Sequence, residues 1–357
     1  MKIRPASHIA SIVLLLALVS VATLPAAGED GYPKTIVDSA NRTITMEKPA
    51  ERVVPIVAWS YEPLYILGAE EKIVGVEKGS HSQYSWLPGL EDKPIIGTYK
   101  EPDFEKIIEL NPDLVIVQPA YLQKVDEKLS PLGITVVNLP FNTQESFDRE
   151  LMTLAEMLGS EEEGRAEEFL SWKQSSIDSL RGKTEEIDPR VKVYGEWSDT
   201  PWMTGSKASG MHDVITMAGG YNIAESLNPE GDPSGRYPTV DPEWVVSENP
   251  EVVIFPAFDY FTGYYFVNST DSISYLEEAM SREGLSSTDA AKNGRIYIID
   301  AYLVEAVRGF IGAHYLAKWF YPEEFGDLDP EAIHREYFEE WLGVPYQGIW
   351  AYPQASA

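Results

Sequence analysis

The sequence DFEKIIELNPDLVI, residues 103–116, decides the fold because it returns as DPEWVVSENPEVVI at residues 241–254. Each copy begins with an aspartate suited to cap a helix and continues as a short amphipathic run. In each copy the helical pattern stops at Asn-Pro, and the apolar residues that follow are typical of a buried strand. One copy alone fits almost any protein that alternates helices and strands, whereas two copies predict two similar units.

The second half of the chain can be laid over the first at one fixed offset of 138 residues, as from Asp103 to Asp241. A cluster at the start of each half and a cluster around the quoted segments both match at this offset. The matched pairs are Arg52 and Arg190, Val53 and Val191, Trp59 and Trp197, Ser60 and Ser198, Tyr99 and Tyr237, Glu105 and Glu243, and Asn111 and Asn249. Such self-similarity indicates an internal duplication, which determines the architecture.

From residue 52 onward, short apolar runs alternate with amphipathic stretches, a pattern that predicts parallel strands covered by helices on both faces. The region around Phe147, Leu154 and Phe169 lacks strand patterns and has helical spacing. The predicted fold class is α/β, with two similar βαβ lobes of mostly parallel sheet, a long α-helix joining them and a ligand cleft between them. The predicted segments are an N-terminal lobe at 35–142, a linking helical segment at 143–187, a C-terminal lobe at 188–345 and an irregular tail at 346–357.

Composition excludes several classes of function. The chain of 357 residues has 28 basic and 57 acidic side chains, a net charge of −29, which argues strongly against nucleic acid as a partner. It has no cysteine, so disulfides, thiolate metal sites, cysteine nucleophiles and a cysteine-linked lipid anchor are excluded.

The first residues, 1–28, combine an early basic pair, Lys2 and Arg4, with an apolar run and small residues. This layout predicts a secretory signal peptide or, if it is not cleaved, an N-terminal anchor of a surface receptor. In both cases we expect the folded part to work outside the cytoplasm.

Several segments resemble the periplasmic-binding-protein family that delivers ferric siderophores, haem and cobalamin to ABC importers. They are ERVV at 51–54, EPDFEKIIELNPDLVI at 101–116, GMHDVITMAGGYNIAES at 210–226, AAKNGRIYIID at 290–300 and RGFIGAHYLAKWFYPEEF at 308–325. The resemblance implies a rigid two-lobe binding protein without catalysis or a bound cofactor, expected to be a monomer. Its implied partners are a metal chelate of iron or cobalt and an ABC permease dimer in the membrane.

In this family a glutamate on each lobe meets arginines of the permease, and the matching residues are Glu105 and Glu243. The residues themselves agree, because both glutamates fall in the first turn of a predicted helix and belong to the repeat. The alternative is that acids in a first turn are favoured by the helix dipole alone.

Aromatic residues concentrate in loops after the predicted strands, which suits a large, partly planar ligand. The alternative for each of them is packing within a lobe. Arg308 lies where the family often has an arginine near the cleft, and a guanidinium pairs well with an anionic chelate group. The candidate ligand-binding residues are Trp59, Tyr61, Tyr84, Trp86, Tyr99, Trp197, Trp202, Tyr237, Tyr260, Tyr302 and Arg308.

Two other functions stay open at this point. A hydrolase based on paired carboxylates is compatible with so acidic a chain, although no GxSxG, HExxH, P-loop or GxGxxG motif follows a predicted strand. A binding protein for a free metal ion or an oxyanion would have the same two-lobe frame. We expect no direct metal site, because the few histidines are scattered along the chain. The sequence does not select among siderophore, corrinoid and haem.

Overall fold

The computed structural model describes residues 31–227, 235–258 and 261–353. The predicted α/β class is confirmed, since two lobes with mostly parallel sheets are connected through helices. The predicted signal peptide at 1–28 lies outside the described residues.

The elements follow the alternation predicted from the sequence. The strands are β1 (Lys34–Val37), β2 (Thr43–Met46), β3 (Val53–Pro55), β4 (Leu114–Val117), β5 (Thr135–Asn138), β6 (Lys192–Gly195), β7 (Tyr221–Asn222), β8 (Val252–Ala257), β9 (Ile296–Asp300) and β10 (Ala351–Tyr352). The α-helices are α1 (Tyr61–Ile66), α2 (Lys78–Gln83), α3 (Phe104–Glu109), α4 (Leu122–Leu129), α5 (Gln144–Leu158), α6 (Ser160–Thr184), α7 (Gly210–Met217), α8 (Pro242–Glu248), α9 (Thr270–Ser281), α10 (Asp289–Lys292), α11 (Gly309–Phe320) and α12 (Pro330–Glu336). A π-helical turn, Tyr337–Trp341, follows α12.

The two sheets have the same parallel centre but different sizes. The N-terminal sheet has the order β3-β4-β5, all parallel, and the β1-β2 hairpin is separate from it. The C-terminal sheet has the order β10-β9-β8-β6-β7, in which only β10 runs antiparallel to its neighbour. The segment 346–357, predicted to be irregular, therefore contributes the edge strand β10.

The repeated segment forms the same unit in both lobes, α3 followed by β4 and α8 followed by β8. Asp103 caps α3 by accepting a hydrogen bond from the Lys106 amide at 3.0 Å, and Asp241 caps α8 through the Glu243 amide at 2.8 Å. Asn111 ends α3 with φ 45°, and Asn249 ends α8 with φ 48°. Asparagine tolerates this left-handed conformation, and the proline that follows prevents further helix.

The offset of 138 residues does not hold for the first strand of each lobe. Val53 pairs with Leu114, whereas Val193 pairs with Val252, so β3 matches β6 at an offset of 140. The equivalence of Trp59 and Trp197 inferred from the sequence is therefore wrong, because Trp197 corresponds to Val57. A shift of two residues leaves every strand side chain on its original face, so the hydrophobic pattern does not reveal it.

The helices between the lobes pack into a core that both lobes share. Gly159, with φ 144°, separates α5 from the 25-residue α6. Phe169 of α6 is fully buried and makes edge contacts with Phe310 and Trp341 from the C-terminal half. One continuous apolar cluster includes residues of both sheets and of α6, while a separate cluster covers the outer face of each sheet. The connection is thus a packed spine.

Candidate functional site

A cavity of about 740 Å³ lies between the lobes. This volume falls within the range of roughly 300–1,000 Å³ usual for small-molecule sites. Most of the large side chains in its wall are aromatic. The lining residues are Gly79, Ser82, Gln83, Tyr84, Ser85, Trp86, Phe258, Gly263, Tyr264, Tyr265, Phe266, Asp300, Tyr302, Arg308 and Trp350.

The N-terminal wall is held by the start of α2. The Glu77 carboxylate accepts hydrogen bonds from the amides of Ser80, at 2.7 Å, and Tyr99, at 3.1 Å. The Tyr61 hydroxyl accepts from the Glu77 amide at 2.9 Å. These bonds fix the position of the N-terminus of α2. Tyr84 and Trp86 follow directly after α2, so their positions depend on it.

The C-terminal wall comes from the segments that follow β8 and β9 at the carboxyl ends of the parallel strands. This is where open α/β sheets place their ligands. Aromatic rings meet across the cavity, with Trp86 stacked on Tyr264 at 5.3 Å between ring centroids and Tyr84 tilted against Tyr302 at 6.2 Å. Aromatic side chains from both lobes therefore form the wall together.

A buried ion cluster supplies the charged lining of the cavity through Asp300 and Arg308. Arg308 is 1% exposed, and its Nε lies 3.3 Å from Glu62 Oε2, while its Nη1 lies 3.8 Å from Asp300 Oδ1. The Tyr337 hydroxyl donates to Glu62 Oε2 at 2.5 Å. Glu62 belongs to α1 and Arg308 to the C-terminal half, so this ion pair links the lobes.

Arg308 stays charged in this buried place. Burial alone would lower the pKa of Arg308, but the carboxylates of Glu62 and Asp300 outweigh it and raise that pKa. The guanidinium also lies over the rings of Tyr302, at 5.0 Å, and Trp350, at 4.9 Å. Its Nε and Nη1 make no hydrogen bond with the described protein groups, so ion pairs and these ring contacts orient the guanidinium.

Four of the predicted ligand-binding residues line the cavity: Tyr84, Trp86, Tyr302 and Arg308. Tyr260 lies outside the described residues. Whether any of these side chains contacts a ligand stays a prediction.

The other predicted ligand residues lie elsewhere in the structure. Tyr61 is fully buried in the core, and Trp59 is half-buried against the same core. Tyr99 packs edge-on against Tyr121 at the surface, and the Arg282 guanidinium lies over Trp202.

Trp197 lies behind the cavity wall, where it stacks on Phe258 with centroids 5.3 Å apart and meets Tyr237 edge-on.

Sequence reasoning missed both acids of the ion cluster and Trp350. Asp300 carried a usable signal, since an acid directly after the apolar run IYII stands at the carboxyl end of a predicted strand. Glu62 carried none, because its partner Arg308 is far away in the sequence. Trp350 lies in the segment predicted to be an irregular tail.

A second buried acid lies beside the wall. The Tyr237 hydroxyl donates a hydrogen bond to the Glu305 carboxylate. Burial raises the pKa of Glu305 to about 7, and burial together with Glu145 raises the pKa of Asp213 to about 6. The cation of Arg236 partly opposes both shifts.

Glu105 and Glu243 are exposed in the first turns of α3 and α8. At the other end of these helices, Arg52 Nη2 donates to the Leu110 carbonyl at 2.6 Å, and Lys192 Nζ donates to the Glu248 carbonyl at 3.0 Å. Arg52 and Lys192 stand at the starts of β3 and β6. The first turns therefore lie toward the carboxyl edges of the sheets, the side on which the cavity opens.

Within the described ranges, no group of three or more histidines, cysteines or acids is arranged to hold a metal ion. In the same ranges, no helix has the length and apolar character needed to span a membrane. The polar groups that line the cavity are thus one arginine, one acid, the amide of Gln83 and hydroxyl groups.

Residues 56–303 match the family described as periplasmic binding protein. An uncharacterized ABC transporter substrate-binding lipoprotein of Bacillus subtilis is 26% identical, and the match covers 82% of this chain and 87% of that protein. A cobalamin-binding protein of Halobacterium salinarum is 26% identical, with coverage of 62% and 58%. A vitamin B12-binding protein of Vibrio campbellii is 28% identical, with coverage of 57% and 70%.

Solved structures have the same fold. A TroA-like periplasmic binding protein from Veillonella parvula superposes with a TM-score of 0.72 at 23% identity, covering 89% of this chain and 99% of that one. The periplasmic vitamin B12 binding protein of Vibrio cholerae superposes with a TM-score of 0.58 at 19% identity, covering 76% and 97%. At these identities the likeness shows the fold alone.

Proposed function

Because the chain belongs to the periplasmic binding protein family, we propose that it is the extracytoplasmic substrate-binding component of an ABC importer. It captures a metal chelate in the cavity between its lobes and delivers the chelate to a membrane permease. Binding, without catalysis, is the whole of its chemical task. A chelate brings its own metal donors, so the protein needs to supply only a complementary surface.

The observation that carries this proposal is the aromatic wall of a 740 Å³ cavity built from both lobes. Trp86, Tyr264, Tyr302 and Trp350 supply the aromatic surface of this wall, and apolar contact of this kind contributes most of the binding energy of sites for large organic ligands. A bare metal ion or a small oxyanion would leave most of this surface without contact.

The charged residues that line the cavity limit the net charge of the chelate that can bind there. Asp300 and Arg308 are the charged residues among the described lining side chains, and Arg308 is already paired with Asp300 and with the buried Glu62. A polyanionic ferric chelate would require unpaired cations, since buried charges are costly unless they are paired. We therefore propose a chelate of low net charge, which favours a corrinoid over an anionic siderophore. The cobalamin-binding relatives support the same choice.

Delivery is assigned to the two exposed glutamates. Glu105 and Glu243 occupy matching first turns on the cavity side of each lobe, and a permease with two equivalent subunits would offer a basic group to each. Exposed charges of this kind contribute orientation and encounter rate more than affinity, as a transient complex needs.

Ligand titration followed by tryptophan fluorescence tests the ligand proposal, because Trp86 and Trp350 line the cavity. We expect saturable quenching by cyanocobalamin, weaker or no quenching by an anionic ferric tris-catecholate, and none by molybdate. Trp86→Ala should weaken cyanocobalamin binding about tenfold or more. Trp202→Phe, in the separate outer cluster of the C-terminal lobe, is the matched control and should bind normally.

Tight binding of haem or of the catecholate complex with no binding of cyanocobalamin would refute the choice of a corrinoid and leave the chelate proposal standing. Binding of molybdate or of a free metal ion with no response to any chelate would overturn the chelate proposal itself.

A further inference from the structure

Two exposed apolar side chains occupy equivalent positions in the two lobes. Ile108 of α3 is 41% exposed and Val246 of α8 is 37% exposed. They are related by the same offset of 138 residues that relates Glu105 to Glu243. Among the exposed large apolar residues in the described ranges, no other two are related in this way.

Each apolar residue lies one turn after a glutamate on the same helix face. Residues three apart on a helix are surface neighbours, so Ile108 lies beside Glu105, and Val246 lies beside Glu243. The preceding residues, Ile107 and Val245, are fully buried and hold each helix in one orientation. The pattern of buried and exposed positions over 103–110 repeats without change over 241–248.

One exposed isoleucine or valine is ordinary on a protein surface. A matched pair is different, because each member faces outward at the same place in a duplicated unit and each has an acid beside it. A partner with two equivalent subunits can use such a pair, since it presents the same surface twice. Protein interfaces commonly combine an apolar centre with a polar rim, and the apolar centre supplies most of the affinity.

We propose that Ile108 and Val246 are the apolar anchors of the permease-docking surface, each inserted into one subunit of a two-fold permease dimer, with Glu105 and Glu243 as the flanking charges. The inference rests on the proposed delivery function and adds residues that bind through apolar burial. The glutamates orient the complex, and the two anchors hold it.

Binding to the cognate permease in lipid nanodiscs, measured at low and high salt, tests this proposal. We expect the double variant I108S/V246S to bind the permease about tenfold more weakly at both salt concentrations, since apolar contacts are not screened. The matched control V37S/I273S changes two apolar residues, 55% and 37% exposed, one in each half, and should bind as wild type does. Cyanocobalamin affinity and circular dichroism, measured on every variant, report ligand binding and folding separately.

The charge variant E105K/E243K separates this proposal from the one on which it rests. If E105K/E243K loses permease binding while I108S/V246S binds as wild type does, docking is by charge alone and the apolar anchors are refuted. If neither pair of substitutions changes permease binding, both the anchors and the docking role of the glutamates are refuted, whatever the ligand affinity shows.

Discussion

The N-terminal lobe has a three-stranded sheet and the C-terminal lobe a five-stranded one, yet both place the same helix and strand side by side. The capped helix, the left-handed asparagine and the basic residue at the helix end recur in both. The cavity walls do not recur, because the N-terminal lobe supplies one short segment, 79–86, and the C-terminal half supplies the rest. The duplication thus preserved the outward-facing unit, while the ligand side diverged.

The largest loss of stability is expected from removing the ion pair between Glu62 and Arg308, which joins the two lobes. Glu62→Ala would leave Arg308 with Asp300 as its remaining carboxylate partner in the cluster, and would remove the acceptor of the Tyr337 hydroxyl. Loss of one partner of a buried pair costs about 3–5 kcal/mol. Urea unfolding should show a loss of this size in the free energy of unfolding.

Glu105→Ala, at an exposed site, is the control for this measurement and should change stability by less than about 0.5 kcal/mol. If Glu62→Ala is as stable as this control, the pair does not hold the lobes together.

A smaller change in stability is expected when the pH is raised, and it comes from Glu305 in the C-terminal lobe. The pKa of Glu305 rises from an ordinary 4.5 to about 7 in the folded protein because the carboxyl is buried. The folded state therefore keeps a proton that the unfolded chain has released, so this group's contribution to stability is lost as pH rises from about 5 to 8. We expect wild type to lose on the order of 2 kcal/mol relative to Glu305→Gln over that range.

The measurement is the difference between the two unfolding free energies at each pH, in which the other acids cancel. Two parallel pH profiles would mean that Glu305 releases its proton at the same pH in both states.

The smallest stability effects test whether the two copies of the repeated unit are stabilised equally. Asp103→Ala and Asp241→Ala each remove a helix cap whose carboxylate accepts one amide hydrogen bond. Each should lower the free energy of unfolding by about 1 kcal/mol, and the two losses should agree. Thermal unfolding measures both losses, with Glu109→Ala as an exposed control on α3. A marked difference between the losses at Asp103 and Asp241 would show that the two caps do not stabilise their helices equally.

Local chemistry in the sequence was sufficient to predict much of this fold. The caps at Asp103 and Asp241, the stops at Asn-Pro and the buried strand at 114–117 depend on neighbouring residues, and all appear where the sequence indicates. The two-residue shift of the first strand was hidden, because alternation in a strand has a period of two.

The candidate site was predicted less well, because its parts meet only in three dimensions. Tyr84, Trp86, Tyr302 and Arg308 line the cavity, but an aromatic residue in a loop gives no local sign of whether it faces a ligand or a core. Tyr61 has the same sequence character and is fully buried. The pairing of Glu62 with Arg308 depends on the packing of α1 against the C-terminal half, which no short stretch of sequence encodes.

The shared core around α6 has a consequence for the timing of transport. Phe169 and its neighbours connect both lobes through one apolar cluster, so the spacing of α3 and α8 should stay the same whether or not the cavity is filled. The permease would then meet empty and loaded copies with similar frequency, and empty protein would act as a competitor. Uptake in a reconstituted system should slow as ligand-free protein is added in excess. Uptake that does not change would mean that filling the cavity changes the proposed docking face.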